Sequence, residues 1–185
     1  MKKIILAVAA FAALSGSAFA QQASQAYVGA GIGQGHVNTD CTGVSDCKNN
    51  DTGYKLYGGY KFTPNIAAEV SYFDFGKAKA SGGGATAEMR GTGVGVGVAF
   101  LGDFAPQWSG VARVGIASNR MKLSTTPNVG LDGSESSTNA YFGLGVGYEV
   151  TKGLKLTADV DFSRGKFQGE KGDLRLVTVG LNYGF

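Results

Sequence analysis

Six charged residues, each inside an otherwise apolar or glycine-rich stretch, are the side chains best suited to chemistry. They are Lys55, Glu69, Arg113, Glu149, Asp159 and Asp161. Carboxylates beside bases can transfer protons in catalysis. In a protein interior, however, charged groups are tolerated mainly when they are paired, because an isolated buried charge is costly. The pattern therefore predicts a satisfied interior charge network rather than a catalytic centre.

His36 is the only histidine and the natural candidate for a hydrolytic site. Such a site needs a nucleophile beside the histidine, which a third group orients. The sequence contains neither a His-x-Ser pair nor an Asp-His dyad, and Ser163 would have to be brought across the fold to reach His36. We expect His36 to be a polar residue at the outer end of a strand, and we predict neither an enzyme nor a bound cofactor.

The first 20 residues have the pattern of a secretory signal peptide. Lys2 and Lys3 precede an apolar run over residues 4–14, and small residues then lead to Ala18-Phe19-Ala20. Cleavage there predicts a single mature domain over residues 21–185. Without the two signal lysines, 15 basic residues (17 − 2) face 14 acidic ones, which gives no argument for binding nucleic acid.

Two cysteines, Cys41 and Cys47, lie in a polar segment near the start of the mature chain. Export to an oxidising compartment favours a disulfide between them, whereas a metal site would want two further Cys or His ligands nearby. Glycine-rich runs at residues 29–33 and 91–97 resemble phosphate loops only in composition, because no helical pattern follows them.

The elements that must position these residues are strands with a period of two. In the last ten residues, Val177, Val179, Leu181, Tyr183 and Phe185 alternate with small or polar residues. Seven more segments alternate in the same way, and the six charges all fall on the face opposite the aliphatic residues. The predicted strands cover roughly residues 25–35, 53–62, 66–75, 90–100, 108–118, 140–150, 154–163 and 176–185.

A soluble sandwich shows the same alternation, so the connections must decide between the two architectures. Compact turns follow strands two, four and six, whereas long polar segments follow strands one, three, five and seven, at residues 37–52, 76–89, 119–139 and 164–173. Short inner turns and long outer loops are typical of outer-membrane barrels. The sequence therefore predicts an all-β fold, an eight-stranded antiparallel up-and-down transmembrane β-barrel. Asp74, Arg90 and Arg175 have lipid-facing parity, but they lie at strand ends, where exposure to lipid costs little.

The pattern resembles the transmembrane domain of outer-membrane protein A and its small relatives, the OmpX/Ail-type and opacity-like surface proteins. The resemblance is carried by segments 57–65, 69–72, 112–115, 145–151 and 179–185, in that order and spacing. It implies a barrel in the bacterial outer membrane whose C-terminal aromatic residues, Tyr183 and Phe185, are read by the assembly machinery. Because the chain stops at Phe185, we expect no peptidoglycan-binding domain.

The expected function is that of a non-enzymatic integral outer-membrane protein with a structural or surface-interaction role through four long outer loops. The alternative is a low-conductance pore or solute channel, although eight strands leave an interior just wide enough for side chains. Expected partners are outer-membrane lipid and lipopolysaccharide, the assembly machinery, and a host or other surface ligand. We expect a monomer.

Overall fold

Nine β-strands make up almost all of the chain that the computed structural model describes, which is residues 25–37, 46–82, 85–126, 133–167 and 170–185. The predicted signal peptide lies outside these residues. No helix in the described ranges is long and apolar enough to cross a membrane. The strands are β1 (Ala26–Val37), β2 (Asp46–Lys48), β3 (Asn50–Thr63), β4 (Ile66–Gly82), β5 (Ala85–Ala105), β6 (Trp108–Thr126), β7 (Gly133–Thr151), β8 (Leu154–Phe167) and β9 (Glu170–Gly184).

Eight of these strands close into an antiparallel barrel, as the sequence predicts. From β3 onward each strand pairs with the one that follows it, ending with the pair β8–β9. Strand β1 closes the ring by pairing with both β3 and β9. The short strand β2 is an addition to the outer part of β4. Closure leaves the eight barrel strands without a free edge, so every strand can satisfy its backbone groups within the bilayer.

The strands are tilted, which is visible in the register. A row of cross-strand partners followed once around the barrel starts at Ala26 and returns to the same strand at His36, ten residues further along. The row runs through Ala26, Tyr60, Ala68, Val98, Val114, Phe142, Phe162, Arg175 and His36. A stagger of this kind is the geometric condition for closing a small tilted barrel whose interior is filled by side chains.

An apolar band surrounds the outside of the barrel. Val28, Leu56, Val96, Leu144 and Val179 are each at least half exposed, as befits side chains that face lipid rather than a core. Exposed aromatic residues flank the band on both sides. The outer belt contains Tyr54, Tyr72, Phe142 and Phe162, and the inner belt contains Tyr60, Phe62, Phe104, Trp108, Tyr183 and Phe185.

The long outer loops of the prediction are largely strand, which corrects the sequence reading. Of residues 76–89, only 83 and 84 lie outside β4 and β5, and β6 and β7 likewise extend far into residues 119–139. Beyond the apolar band the strands remain paired, for example Lys122 with Ser134 and Glu88 with Lys79. Backbone hydrogen bonding continues there with polar side chains on the outer face, so the apolar alternation that marks the membrane-spanning part underestimates strand length.

The inner turns are as short as the sequence predicts. The connection between the predicted strands 90–100 and 108–118 is shorter than the seven residues expected there. Only Pro64 and Asn65 separate β3 from β4, and only Pro106 and Gln107 separate β5 from β6. Gln107 has a φ of 66° and Gly153, in the third turn, has a φ of 82°. These left-handed conformations allow the chain to reverse within two residues.

A bulge in β4 changes which residues face the lumen. The register with β5 shifts between Asp74 and Lys77, and Gly76 has a φ of 75° there. After the shift, Ala78 is buried while Lys79 is exposed. Asp74, just before the bulge, keeps the outward parity expected from the sequence, because it is the cross-strand partner of Tyr54 and Thr92. It is nevertheless buried, with its carboxylate bound to the outward-facing Arg90. The extra residue of a bulge breaks the simple alternation, so the residues after Gly76 exchange faces.

Candidate functional site

Five of the six predicted charged residues lie together at mid-height in the lumen, in what we call the ionic layer. Lys55, Glu69, Arg113, Asp159 and Asp161 are each at most 6 % exposed. Lys55 lies on β3, Glu69 on β4, Arg113 on β6 and the two aspartates on β8. Strand closure brings them together, because alternate residues of every strand point into the same narrow interior.

Arg113 is the centre of the ionic layer. Its Nε donates to Glu69 Oε1 at 2.7 Å and its NH1 donates to Asp159 Oδ1 at 2.5 Å. Lys55 Nζ donates to both oxygens of Asp161, at 2.9 and 2.8 Å, and lies 3.8 Å from Asp159 Oδ1. The two bases and three carboxylates therefore form one connected network that crosses the lumen.

Tyrosine hydroxyls complete the ionic layer, and the sequence analysis missed them. The Tyr27 hydroxyl donates to Glu69 Oε2 at 3.0 Å, and the Tyr141 hydroxyl donates to Asp161 Oδ1 at 2.7 Å. The Arg113 guanidinium lies 4.9 Å from the centre of the Tyr57 ring. All three tyrosines alternate with aliphatic residues and share their face with glycines, which was the available signal. Satisfied charges of this kind fill and brace an interior and leave little free donor or acceptor capacity for a substrate.

Glycines on β7 make room for the two aspartates. A Cβ at Gly143 would lie 2.5 Å from Asp161 Oδ1, and a Cβ at Gly145 would lie 2.3 Å from Asp159 Oδ1. Each glycine is the cross-strand partner of the aspartate it accommodates. The glycine-rich runs therefore serve close packing inside the barrel.

Glu149, the sixth predicted member, stands apart from the ionic layer. It is half-buried near the inner end of β7 and forms no ion pair within the described part of the chain. Its backbone N–H donates to the carbonyl of Gln107 at 2.8 Å. Parity placed Glu149 on the correct face, but Glu149 lies four residues along β7 from Gly145, the cross-strand partner of Asp159. At about 3.3 Å per residue that is about 13 Å, too far for contact.

The outer half of the lumen is mainly apolar, which the sequence analysis did not predict. We call this group the apolar plug; its members are almost fully buried and lie on five strands. They are Val37, Phe73, Phe75, Ala78, Ala117, Met121, Tyr141, Leu174 and Leu176. Phe73 stacks on Phe75 with ring centres 5.7 Å apart and contacts Tyr141 at 5.0 Å. The plug covers the ionic layer on its outer side.

Below the ionic layer, a small cavity of about 60 Å³ opens toward the inner end of the barrel. Its wall includes Tyr27, Lys61, Ser109, Lys155 and Asn182. Lys155 Nζ donates to Ser109 Oγ at 2.9 Å. A volume of this size holds roughly two water molecules. Among the described residues, the lumen is therefore packed through its outer half and middle and has this cavity toward its inner end.

His36 and Ser163, the pair that a hydrolytic site would have needed, do not come together. His36 Nδ1 lies 2.7 Å from Asn50 Oδ1. Ser163 is buried in the lumen, where its hydroxyl donates to the Ala140 carbonyl at 3.2 Å and accepts from Asn119 Nδ2 at 2.7 Å. In the described ranges, no group of three or more His, Cys, Asp and Glu side chains is arranged to hold a metal ion. The predicted disulfide falls outside the description, because Cys41 and the side chain of Cys47 are not among the described atoms.

Tyr183 and Phe185 lie on the outer surface at the inner end of the barrel. Both are about half exposed, and their rings stack with centres 6.3 Å apart. The Phe185 N–H donates to the Ala26 carbonyl at 2.9 Å, at the seam where the first and last strands meet. Their role as an assembly signal stays a prediction.

The family model for the outer membrane protein beta-barrel domain matches residues 6–185. The chain belongs to this family. It is an outer-membrane β-barrel, and its place is the bacterial outer membrane. The tilted closed ring, the lipid-facing band and the two aromatic belts agree with this assignment.

Solved structures of small outer-membrane barrels have the same fold. Neisserial surface protein A (NspA) aligns with a TM-score of 0.61 at 16% identity, covering 89% of this chain and all of that one. The attachment invasion locus protein Ail of Yersinia pestis aligns at 0.57 and 17% identity, with the same coverage. The N-terminal barrel of OprF from Pseudomonas aeruginosa aligns at 0.55 and 16% identity, again with the same coverage. No curated protein matches the chain by sequence.

Proposed function

We propose that this outer-membrane barrel is a non-enzymatic surface-interaction protein, in which the barrel is the anchor and the outer hairpins contact an extracellular partner. The observation that carries the proposal is the division of the molecule along its axis. The lumen is filled by the ionic layer and the apolar plug, whereas paired strands continue well beyond the lipid-facing band.

The β6–β7 hairpin shows the extent of this projection. Ile116 is the last large apolar residue on the outward face of β6, and the strand continues for ten more residues to Thr126. With a rise of about 3.3 Å per residue and a tilt near 45°, these residues reach roughly 23 Å beyond Ile116. Their outward side chains are polar, including Ser118, Arg120 and Lys122. A paired ribbon offers a rigid polar surface, which loses less entropy on binding than a flexible loop does.

The filled lumen argues against the alternative of a pore. An ion crossing the barrel would have to pass the apolar plug, where Phe73, Phe75 and Leu176 are at most 1 % exposed, and then separate the ion pairs of the ionic layer. Apolar constrictions exclude water and block conduction. Wild-type conductance should therefore be undetectable.

Similarity to Ail supports the proposal, because Ail is a barrel of the same fold. Ail is named for attachment and invasion, and one of its structures holds the heparin analogue sucrose octasulfate. That protein shows that a barrel of this size can present a site for a sulfated sugar.

The test combines conductance with binding on one set of variants. A trimmed variant would join Lys122 to Ser134, which are cross-strand partners beyond the apolar plug, through an Asn-Gly turn. We expect it to assemble normally and to lose binding to epithelial cells and to immobilised heparin, while Lys152→Asn in an inner turn leaves both unchanged. Steady ion conductance by the wild type in planar bilayers, or full binding by the trimmed variant, would overturn the proposal.

A further inference from the structure

Two lysines line the small cavity below the ionic layer, which we call the inner cavity. Lys61 lies near the inner end of β3 and Lys155 near the inner end of β8, and both side chains form part of the cavity wall. Both residues are half-buried. Each ammonium group has therefore lost part of its hydration, and a charged partner inside the cavity would replace it.

The charges around the inner cavity are unbalanced. Among the described residues, its wall contains one acidic residue, Asp159, and three basic ones, which are Lys61, Arg113 and Lys155. Arg113 is already paired with Asp159 and with Glu69 in the ionic layer. The two lysines are the positive charges that remain. A narrow site lined by one sign of charge attracts the opposite sign.

Asp103 and Glu149, acidic residues at the same end of the lumen, leave the two lysines largely uncompensated. Lys155 Nζ lies 3.9 Å from Asp103 Oδ1, and the Asp103 side chain is 82% exposed. A long contact to an exposed carboxylate contributes little. Glu149 is the cross-strand partner of Lys155. In the part of the chain that the structure describes, neither Glu149 nor Lys61 forms an ion pair.

Neutral groups of the inner cavity have hydrogen-bonding capacity to spare. Ser109 Oγ accepts from Lys155 Nζ at 2.9 Å. The Ser109 hydroxyl itself donates to the Gly147 carbonyl at 3.4 Å, which is longer than a normal O–H···O bond. Asn182 Nδ2 donates to the Tyr57 hydroxyl at 3.3 Å, and its amide carries a second N–H. An anion in the cavity would therefore find donors besides the two lysines.

We propose that the inner cavity binds a carboxylate group of a periplasmic compound. The volume of about 60 Å³ equals roughly two water molecules, which suits a carboxylate better than the bulkier tetrahedral phosphate. The two oxygens of a carboxylate accept about four hydrogen bonds, enough for Lys61, Lys155 and Ser109 together. The ionic layer closes the cavity on its outer side, so the carboxylate enters and leaves through the inner end. The outer hairpins of the proposed function are at the opposite end of the barrel, so each of the two proposals can fail alone.

The test titrates the purified mature protein in neutral detergent micelles with acetate at constant ionic strength, and follows the amide ¹H–¹⁵N resonances of Ser109 and Asn182. Lys155→Gln removes one charge from the cavity wall. Lys152→Gln is the matched control, because it removes one lysine from the exposed turn of the same hairpin, three residues away. We expect Lys155→Gln to bind acetate about tenfold more weakly, as for the loss of one hydrogen bond from a charged group, and Lys152→Gln to stay within about twofold of wild type.

Ser109→Leu tests the space in the cavity rather than its charge. The larger side chain occupies the cavity while both lysines stay in place, so the acetate-induced shift at Asn182 should disappear. Acetamide has the shape of acetate without its charge, and it should cause no saturating shift in the wild type. A heat-dependent shift on a detergent gel verifies that each variant is folded.

Absence of a saturating shift at Ser109 and Asn182 with acetate would overturn the proposal. Equal weakening in Lys155→Gln and Lys152→Gln would do the same, because total charge would then attract the acetate. Unchanged acetate binding by folded Ser109→Leu would move the site out of the cavity, and acetamide binding as tight as that of acetate would mean that charge is not recognised. Tighter binding of inorganic phosphate than of acetate, lost in Lys155→Gln, would replace carboxylate by phosphate as the ligand.

Discussion

Lys55 and Asp161 meet in the middle of the barrel, with Nζ 2.8 and 2.9 Å from the two carboxylate oxygens, although 106 residues separate them in the chain. They lie on β3 and β8, which are not hydrogen-bonded to each other. The contact therefore ties two separate parts of the wall together through the lumen. Arg113 does the same for β4 and β8 by binding Glu69 and Asp159. These cross-lumen pairs are tertiary interactions that the strand ladder alone does not provide.

Replacing Glu69 by Ala should lower the free energy of unfolding by about 3 kcal/mol, measured by urea unfolding in detergent micelles. The change removes one of the two carboxylates that bind Arg113 and the acceptor of the Tyr27 hydroxyl. A buried base with incomplete compensation then remains, and that is the costly state.

Glu149→Ala is the matched control, because Glu149 shares the inward face but is half-buried and away from the ionic layer. Its effect should stay below about 1 kcal/mol. In a double-mutant cycle, Glu69→Ala and Arg113→Ala should show a coupling energy of at least about 1 kcal/mol. Simple additivity of the two changes would mean that the observed contact does not stabilise the fold.

Gly97→Ala should destabilise the barrel by about 2 kcal/mol, whereas Gly102→Ala on the same strand should cost about 0.5 kcal/mol or less. A Cβ at Gly97 would lie 2.3 Å from the carbonyl oxygen of Val114, a backbone atom that cannot turn aside. At Gly102 no heavy atom lies within 4 Å of the added carbon. The midpoint of the heat-dependent gel shift would compare the two variants, and equal midpoints would contradict the steric argument.

The sequence was sufficient to predict the barrel and the face of each charge, because both follow from alternation with a period of two. Lys55, Glu69, Arg113, Asp159 and Asp161 could be assigned to the lumen before any contact was known. A basic side chain facing lipid costs about 2–4 kcal/mol at the midplane, so parity in the bilayer is a strong constraint.

The features that parity missed depend on geometry in three dimensions. The bulge at Gly76 exchanges the faces of the residues that follow it, such as Ala78 and Lys79, and no local sequence pattern predicts that extra residue. The pairing of Lys55 with Asp161 depends on the stagger of the closed ring, which aligns residues far apart in sequence. The apolar plug arises because Phe75 and Leu174, which lie near strand ends in the sequence reading, belong to strands that continue beyond the membrane.

Glu88 gives a prediction about pH. Its carboxylate accepts from Lys79 and Lys77, with nitrogen to oxygen distances of 2.9 and 3.0 Å, and these hydrogen bonds lower the pKa of Glu88 below its ordinary value. Because the pKa in the folded state is below that of the unfolded chain, the interaction is present above the unfolded pKa and is lost as the pH falls through the folded pKa. Carboxyl ¹³C titration should show a lower midpoint for folded Glu88 than for the urea-unfolded chain.

Lys77→Ala/Lys79→Ala is the corresponding control for that titration. It should return the pKa of Glu88 toward its ordinary value, because both donors are removed. A midpoint that is unchanged by the double substitution would show that the two lysines do not determine the titration of Glu88.

The predicted Cys41–Cys47 disulfide should shape the first outer connection without holding the fold. The seven-residue ring restricts the unfolded chain by only about 2 kcal/mol in the chain-entropy model, and the barrel closes through β1, β3 and β9 without it. Mass spectrometry of unreduced peptides should show the two cysteines linked. Cys41→Ser/Cys47→Ser should keep its gel shift and strand content, while binding that depends on this connection weakens. Free thiols in protein isolated from cells would refute the linkage, and failure of the double variant to assemble would show that the disulfide is required for the fold.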